Sequence, residues 1–347
     1  MKSDIITLSS CLAILMAGET AVSVEEFSPP RCEVLPLPDH QVSFRIDGEE
    51  KLKWHFGPQY PRPFFYPFNG PSGVSLTRMG HPGAQNHDHH RSVWFAHQKL
   101  GGTDFWSDLS GSRIRQVHWY AYQDGDEEAI MSCLLSWQDA EGNELMQQDV
   151  VAAIRPLPER EFALELQLTF RPPKHAASVM LEKTNFGLLA VRVSRSLSAF
   201  FGGGELTSSE GQVGESRIFG QRARWMDYSG PVSAGCNQSR QVVREGISFF
   251  DHPDNPRYPT RWHVREDGWM GASFGMDESW QIDQQNPLLL RYLLHSHAGD
   301  YDAETADAVH TAFAAREGFV IRAATSEERH RQFLVHRASD VAASRGR

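Results

Sequence analysis

Cysteine is scarce and scattered. Cys11, Cys32, Cys133 and Cys236 form no CxxC pair, which excludes both a cysteine-built zinc site and a disulfide-stapled mini-domain. Long apolar runs are also missing. Beyond the amino terminus no stretch reaches the roughly 18 consecutive apolar residues of a spanning helix, so no integral membrane insertion is expected. Positive charge is in deficit, with 34 Lys plus Arg against 44 Asp plus Glu and a formal net charge of −10. A phosphate backbone needs a concentrated basic surface, so nucleic acid is not an expected partner. The motifs HExxH, GxSxG, GxGxxG and GxxxxGK[ST] do not occur. Their absence removes the usual signals for zinc proteolysis, serine hydrolysis, dinucleotide binding and nucleotide-phosphate chemistry.

What is present favours strands. Aromatic residues make up 11 % of the 347 residues, with nine Trp, 28 Gly and 19 Pro, a mixture suited to short strands joined by turns. Val42, Phe44 and Ile46 alternate with polar neighbours, and so do Phe162, Leu164, Leu166, Leu168 and Phe170, the period of strands with one buried face. Similar runs at 113–122, 129–137, 188–193, 246–250 and 288–294 are separated by turn-rich segments such as Gln123-Asp124-Gly125-Asp126. The reading is all-β: a large antiparallel β-sandwich over residues 34–337, as one domain with short C-terminal helices at 302–315 and 326–337. Residues 1–23 precede it. Lys2, the apolar stretch Ile5 to Gly18 and Ala21-Val22-Ser23 suit a secretory leader of an exported protein. Met16 equally suits the start of a cytosolic one.

Three segments carry candidate chemistry. In the first, His87, His89, His90 and His97 fall within eleven residues, beside Asp88, Arg91, Trp94, Asp104 and Trp106. On a strand His87 and His89 would share a face, where imidazoles can transfer protons or ligate a metal. The same cluster can be a hydrogen-bonded knot that ties loops together. No Glu follows His89 within twenty residues, so the cupin ligand pattern is not met. In the second segment Glu182 and Asn185 interrupt an apolar surround, where a carboxylate can act as a base or simply pair with Lys183 or Arg192. The third, from Phe249 to Arg265, holds Asp251, His252, Arg261 and His263 on a proline-stiffened loop. There the Asp and Asn residues serve equally well as turn caps. His295 and His297 read as a strand end.

In order along the chain, RPFFYPF, NHDHHRSVWFAH, GGTDFWSD, LEKTNFGLLAVR, DHPDNPRYPTRWHVR and LLHSHAGDYDAE resemble the bacterial family labelled PmoA family protein, or methane oxygenase PmoA. The resemblance covers Arg62 to Glu304. That family tends to show HPHH followed by Arg-Gly, whereas this chain has Asp88 and Ser92 in place of the Pro and the Gly. Methane oxidation is set aside, because the subunit of that name lives in the membrane and this chain has no spanning segment after residue 23. The resemblance implies a galactose-mutarotase-like sandwich in a sugar-catabolising setting, with an earlier His and a later Glu as the acid–base pair.

The expectation is therefore a carbohydrate-active enzyme acting on a small carbohydrate. His87, His89 and Glu182 would be catalytic. His90, Arg91, Asn185, Asp251, Arg261 and His263 would position hydroxyls, with Trp94 or Trp106 stacked on the sugar face. Epimerisation, glycoside cleavage and keto-sugar processing would all use these groups, and no organic cofactor is expected. The alternatives are a non-catalytic carbohydrate-binding protein, or a metal-dependent hydrolase or oxygenase with His87 and His89 as ligands.

Overall fold

The structure is a computed structural model that describes residues 28–339 except 82, 85, 86, 237 and 238. The leader assigned to residues 1–23 lies outside the described residues. Two eight-stranded sheets face each other, and every strand pairing described is antiparallel. Sheet I runs in spatial order β1 (Cys32–Leu37), β2 (Gln41–Ile46), β3 (Glu49–His55), β4 (Phe64–Phe68), β5 (Val93–His97), β11 (Gly187–Arg192), β16 (Trp269–Ala272) and β15 (Trp262–Arg265). Sheet II runs β12 (Glu205–Ser208), β13 (Trp225–Ala234), β14 (Gln241–Asp251), β18 (Leu288–Ala298), β9 (Phe162–Arg171), β8 (Glu144–Pro156), β7 (Ala129–Gln138) and β6 (Arg113–Gln123). Two ribbons flank them, β10 (Ser178–Leu181) with β17 (Trp280–Asp283) and β19 (Phe319–Ala323) with β20 (Phe333–Arg337). The helices are α1 (Glu215–Ile218) and α2 (Ala303–Ala314).

The core follows from the period of two. Phe44, Trp54, Phe65, Phe95, Leu189 and Met270 from sheet I meet Trp137, Val150, Leu164, Leu166, Phe249 and Leu294 from sheet II, all buried in one cluster. Each such side chain removed from water contributes roughly 1.5–3 kcal/mol. The opposite faces differ in kind. Sheet I carries a second apolar cluster on its outward side, built from Phe64, Trp94, Ala96, Trp106, Ala190 and Trp269.

One expected helix forms and the other does not. α2 begins where Asp302 Oδ1 accepts the Thr305 N–H at 2.8 Å, a side-chain cap at the first turn. Residues 326–337 instead make a turn and strand β20. Glu328 accepts the Thr325 N–H at 2.7 Å and pairs with Arg322, closing the β19–β20 turn. Val335 and Phe319 then pack on Ile130 and Val151 of sheet II. Tertiary burial of Val335 outweighs the local helix preference of the Glu- and Arg-rich stretch.

Candidate functional site

Four neighbouring strands of sheet I shape a trough on its outward face. Register places Trp94, Ala190, Gly271 and His263 in one cross-strand row. Arg192, Trp269 and Arg265 form the next. Ala190 and Gly271 are small enough to leave space between Trp94 and His263. The Trp269 indole lies over Gly271, with its Cζ2 3.4 Å from where a Cβ there would sit.

Two loops enclose the trough. In the first, the Gly80 N–H donates to the His90 carbonyl at 2.7 Å, and the His90 N–H donates to the His87 carbonyl at 3.0 Å. Residues 87–90 are therefore a tight turn, not the strand expected from the HxH spacing. The turn still converges its rings, with centroids 4.4 Å apart for His89 and His90 and 5.1 Å for His87 and His90. In the second loop, Arg62 donates to the Trp106 carbonyl at 2.9 Å and pairs with Asp108 at 2.9 Å. Arg91 grips the same Asp108 carboxylate.

The result is a cavity of about 300 Å³. Trp106, Phe186 and Trp269 wall it, and four imidazoles face it: His87, His89, His90 and His263. Arg192, Arg265 and Asp267 supply its charges. Aromatic walls with a few convergent polar groups are the usual composition of a small-molecule site.

Two of the imidazoles have fixed roles. Arg192 donates to His90 Nδ1 at 2.6 Å, which leaves Nε2 to carry the proton as a donor. Burial and the Arg192 guanidinium push the His90 pKa far down, so the ring stays neutral. Conversely, His263 Nδ1–H donates to the Asn185 carbonyl at 2.9 Å, and its Nε2 has no hydrogen-bond partner among the described residues. Burial pushes His263 down to about 4 despite the opposing Asn185 carbonyl. Arg192 also donates to Asp267 Oδ1 at 2.7 Å, while Oδ2 of that carboxylate meets His81 Nε2 at 2.9 Å. Burial would raise the Asp267 carboxyl, but Arg192 and His81 outweigh it and hold it below its usual range. His87 is lowered by burial and by the neighbouring His81.

Of the residues singled out in the sequence, His87, His89, His90, Trp106 and His263 line the cavity. Trp94 lies beneath it, fully buried, with the His90 ring stacked on its indole at 5.2 Å. Arg91 works from behind through Asp108, and Asn185 acts through its backbone carbonyl. Glu182 does not line the cavity. It follows β10, which pairs with β17 away from sheet I, and its Oε1 accepts the Gly102 N–H at 2.9 Å. His97 Nε2 meets the Glu182 carbonyl instead of the cavity. Asp251 accepts from Asn255 Nδ2 at 2.7 Å and the Thr260 N–H at 2.8 Å, pinning the proline-rich loop. Arg261 pairs with Asp277 and donates to the Gly220 carbonyl. Asp251 and Arg261 are therefore loop ties, not cavity groups.

Arg192, Asp267, Trp269 and Phe186 were not assigned to the site by sequence reasoning. The available signal was an arginine closing the apolar run Leu188 to Val191 and a tryptophan two residues before Gly271. A charge at a buried strand position calls for a buried partner. As for a metal at His87 and His89, no three His, Cys, Asp or Glu among the described residues are arranged to hold one. His90 Nδ1 is already engaged by Arg192.

A family model described as a family of unknown function (DUF6807) matches residues 41–311, a span that holds every cavity residue. No curated protein matches the chain.

Proposed function

Because the chain belongs to DUF6807, a family of unknown function, its activity has to be read from its site, and we propose a carbohydrate-active enzyme working by imidazole acid–base chemistry. One observation carries this reading: four imidazoles converge on a cavity walled by Trp106, Phe186 and Trp269. A pyranose has an apolar face that suits an indole and a rim of hydroxyls that both donate and accept. His90 Nε2–H offers a fixed donor and His263 Nε2 an acceptor, a complementary pair for such hydroxyls. His87 and His89 carry the proton transfers. From the PmoA and galactose-mutarotase resemblance we keep the sugar class and the histidine acid. Glu182 is dropped from the pair, since its carboxylate serves the turn at Gly102.

The test compares the wild type with a His87→Ala/His89→Ala variant. Polarimetry of freshly dissolved α-D-galactose and α-D-glucose reads epimerisation at the anomeric carbon, and p-nitrophenyl glycosides read cleavage. Loss of the acid–base pair is expected to lower kcat by roughly 10²–10⁴-fold. The depressed His87 pKa places the acid limb of kcat/KM below the ordinary histidine value of about 6.5. Unchanged kcat in the double variant would remove His87 and His89 from the chemistry, and no turnover of either substrate type by the wild type would leave a sugar-binding protein without catalysis.

A further inference from the structure

Among the buried nitrogens of the sheet I trough, donors outnumber acceptors. Arg192, Trp269 and His263 are all buried there, and each has one nitrogen without a hydrogen-bond partner among the described residues. Arg192 Nε–H and Trp269 Nε1–H can only donate. His90 Nε2–H is a third donor, fixed by the Arg192 bond to Nδ1. His263 Nε2 is the acceptor of the set, because its Nδ1–H is engaged by the Asn185 carbonyl.

The charges lean the same way. Arg192 and Arg265 flank Trp269 on one cross-strand row. The Arg78 N–H donates to the Arg192 carbonyl at 3.2 Å, which sets Arg78 beside Arg192 on the side away from Trp269. Its Nε and Nη2 are buried and have no hydrogen-bond partner among the described residues. Burial and the Arg192 guanidinium push the Arg78 pKa down to about 10, so the group keeps its charge at neutral pH. Two carboxylates answer these three guanidiniums, and both are engaged. Asp267 is held on both oxygens, by Arg192 and by His81. Glu215, outside the cavity, accepts from Arg265 Nη1 at 2.7 Å and from the Glu266 N–H at 2.8 Å. The row therefore holds one guanidinium more than it has carboxylates. Asp88, Arg195 and Glu266 nearby are exposed, where solvent screens them.

We propose that the ligand of this trough is a sugar acid, a monosaccharide whose carboxylate lies at the row of Arg192, Trp269 and Arg265 while its ring stays against the aromatic wall. This rests on the sugar-site reading and adds a charge to it. A carboxylate only accepts hydrogen bonds, which suits a site whose unpartnered nitrogens are mostly donors. One surplus guanidinium matches a monoanion better than the dianion of a sugar phosphate. Hydrogen bonds with an ionised partner are the stronger kind, so the acid binds ahead of the neutral sugars that the same walls admit.

Calorimetry of the full chain compares D-galacturonate and D-glucuronate with the corresponding uronamides, which keep the ring and replace the carboxylate by a neutral amide. At least one uronate is expected to bind about tenfold or more tighter than its uronamide, with the preference shrinking as salt is raised. Arg265→Gln should remove most of that preference, and Arg78→Gln should cut it about threefold or more, while the uronamide Kd stays within about twofold in both. Arg78→Gln takes away no hydrogen bond of Nε or Nη2, so it decides the matter if Arg265→Gln does not fold. Uronates and uronamides binding alike, or a preference untouched by both variants, would overturn the proposal and leave the sugar site standing. The 6-phosphate of the same sugar binding tighter than the uronate, or cyclohexanecarboxylate binding as tightly, would overturn it as well. Binding of no sugar, charged or neutral, would remove the sugar-site reading and this proposal together.

Discussion

Replacing Arg192 with methionine is expected to lower the unfolding free energy by about 3–5 kcal/mol, the cost of breaking a buried ion pair from one side. Arg192 is fully buried at the end of β11. Its guanidinium donates to Asp267 Oδ1, to the Asp267 carbonyl and to His90 Nδ1, so one side chain joins strand β11 and the turn between β15 and β16 to the histidine turn. Methionine keeps most of the volume and removes all three bonds. Asp267 would be left with His81 as its remaining side-chain partner, and His90 Nδ1 would lose its donor. Urea unfolding followed by tryptophan fluorescence reads the loss. A change below about 1 kcal/mol would mean that Asp267 and His90 find water or new partners, and the network would not be the support of the site. The His90 pKa should rise in the variant but stay below the ordinary value, because burial is the larger cause of its depression.

Stability is expected to fall steeply as pH drops from about 6.5 towards 4. His97 and His263 are both fully buried, and burial holds them at about 4, against the ordinary histidine value of about 6.5. Below 6.5 the unfolded chain binds protons at these positions that the folded chain does not. Stability is therefore full above the unfolded pKa and lost as pH falls towards the folded one. Each ring contributes on the order of 3 kcal/mol across that window. His297 works in the opposite sense. Its folded pKa of about 9 stabilises the protein below 6.5 and loses that contribution as pH rises through 9. His97, His263 and His297 together give a stability maximum near pH 6.5; His252, lowered by burial to about 4, adds to the acid fall, and Asp251, raised by burial to about 7, offsets part of it because its contribution is lost as pH rises through that value. In His263→Gln the acid slope should decrease by up to one proton, while the alkaline shoulder is unchanged. An acid slope identical to that of the wild type would show that His263 titrates normally, and the fixed-tautomer acceptor would be lost with it.

The sandwich was legible because period-two alternation reports burial on one face directly. The runs around Phe162 to Phe170 and Leu288 to Leu294 became β9 and β18. The end of the chain was less legible. Helix-forming residues at 326–331 precede Phe333 and Val335, and only the presence of Ile130 and Val151 across the gap makes that segment a strand. The site divides in the same way. His87, His89 and His90 stand together in the sequence, so their convergence could be anticipated even though their turn could not. The Arg192, Trp269 and Arg265 row exists only through the registers of β11 with β16 and of β16 with β15, between segments distant in sequence. Glu182 shows the converse. It has the surroundings of a catalytic carboxylate in sequence, yet β10 leaves sheet I to pair with β17 and takes it to the Gly102 turn.

We propose the trough of sheet I as a sugar site. Saturation-transfer NMR of the wild type against neutral monosaccharides and their methyl glycosides, repeated on Trp269→Ala, tests this most directly. At least one sugar should receive saturation through its apolar ring face in the wild type, with the signal falling tenfold or more when the indole over Gly271 is removed. No transfer to any neutral sugar, or transfer of equal strength in Trp269→Ala, would contradict it.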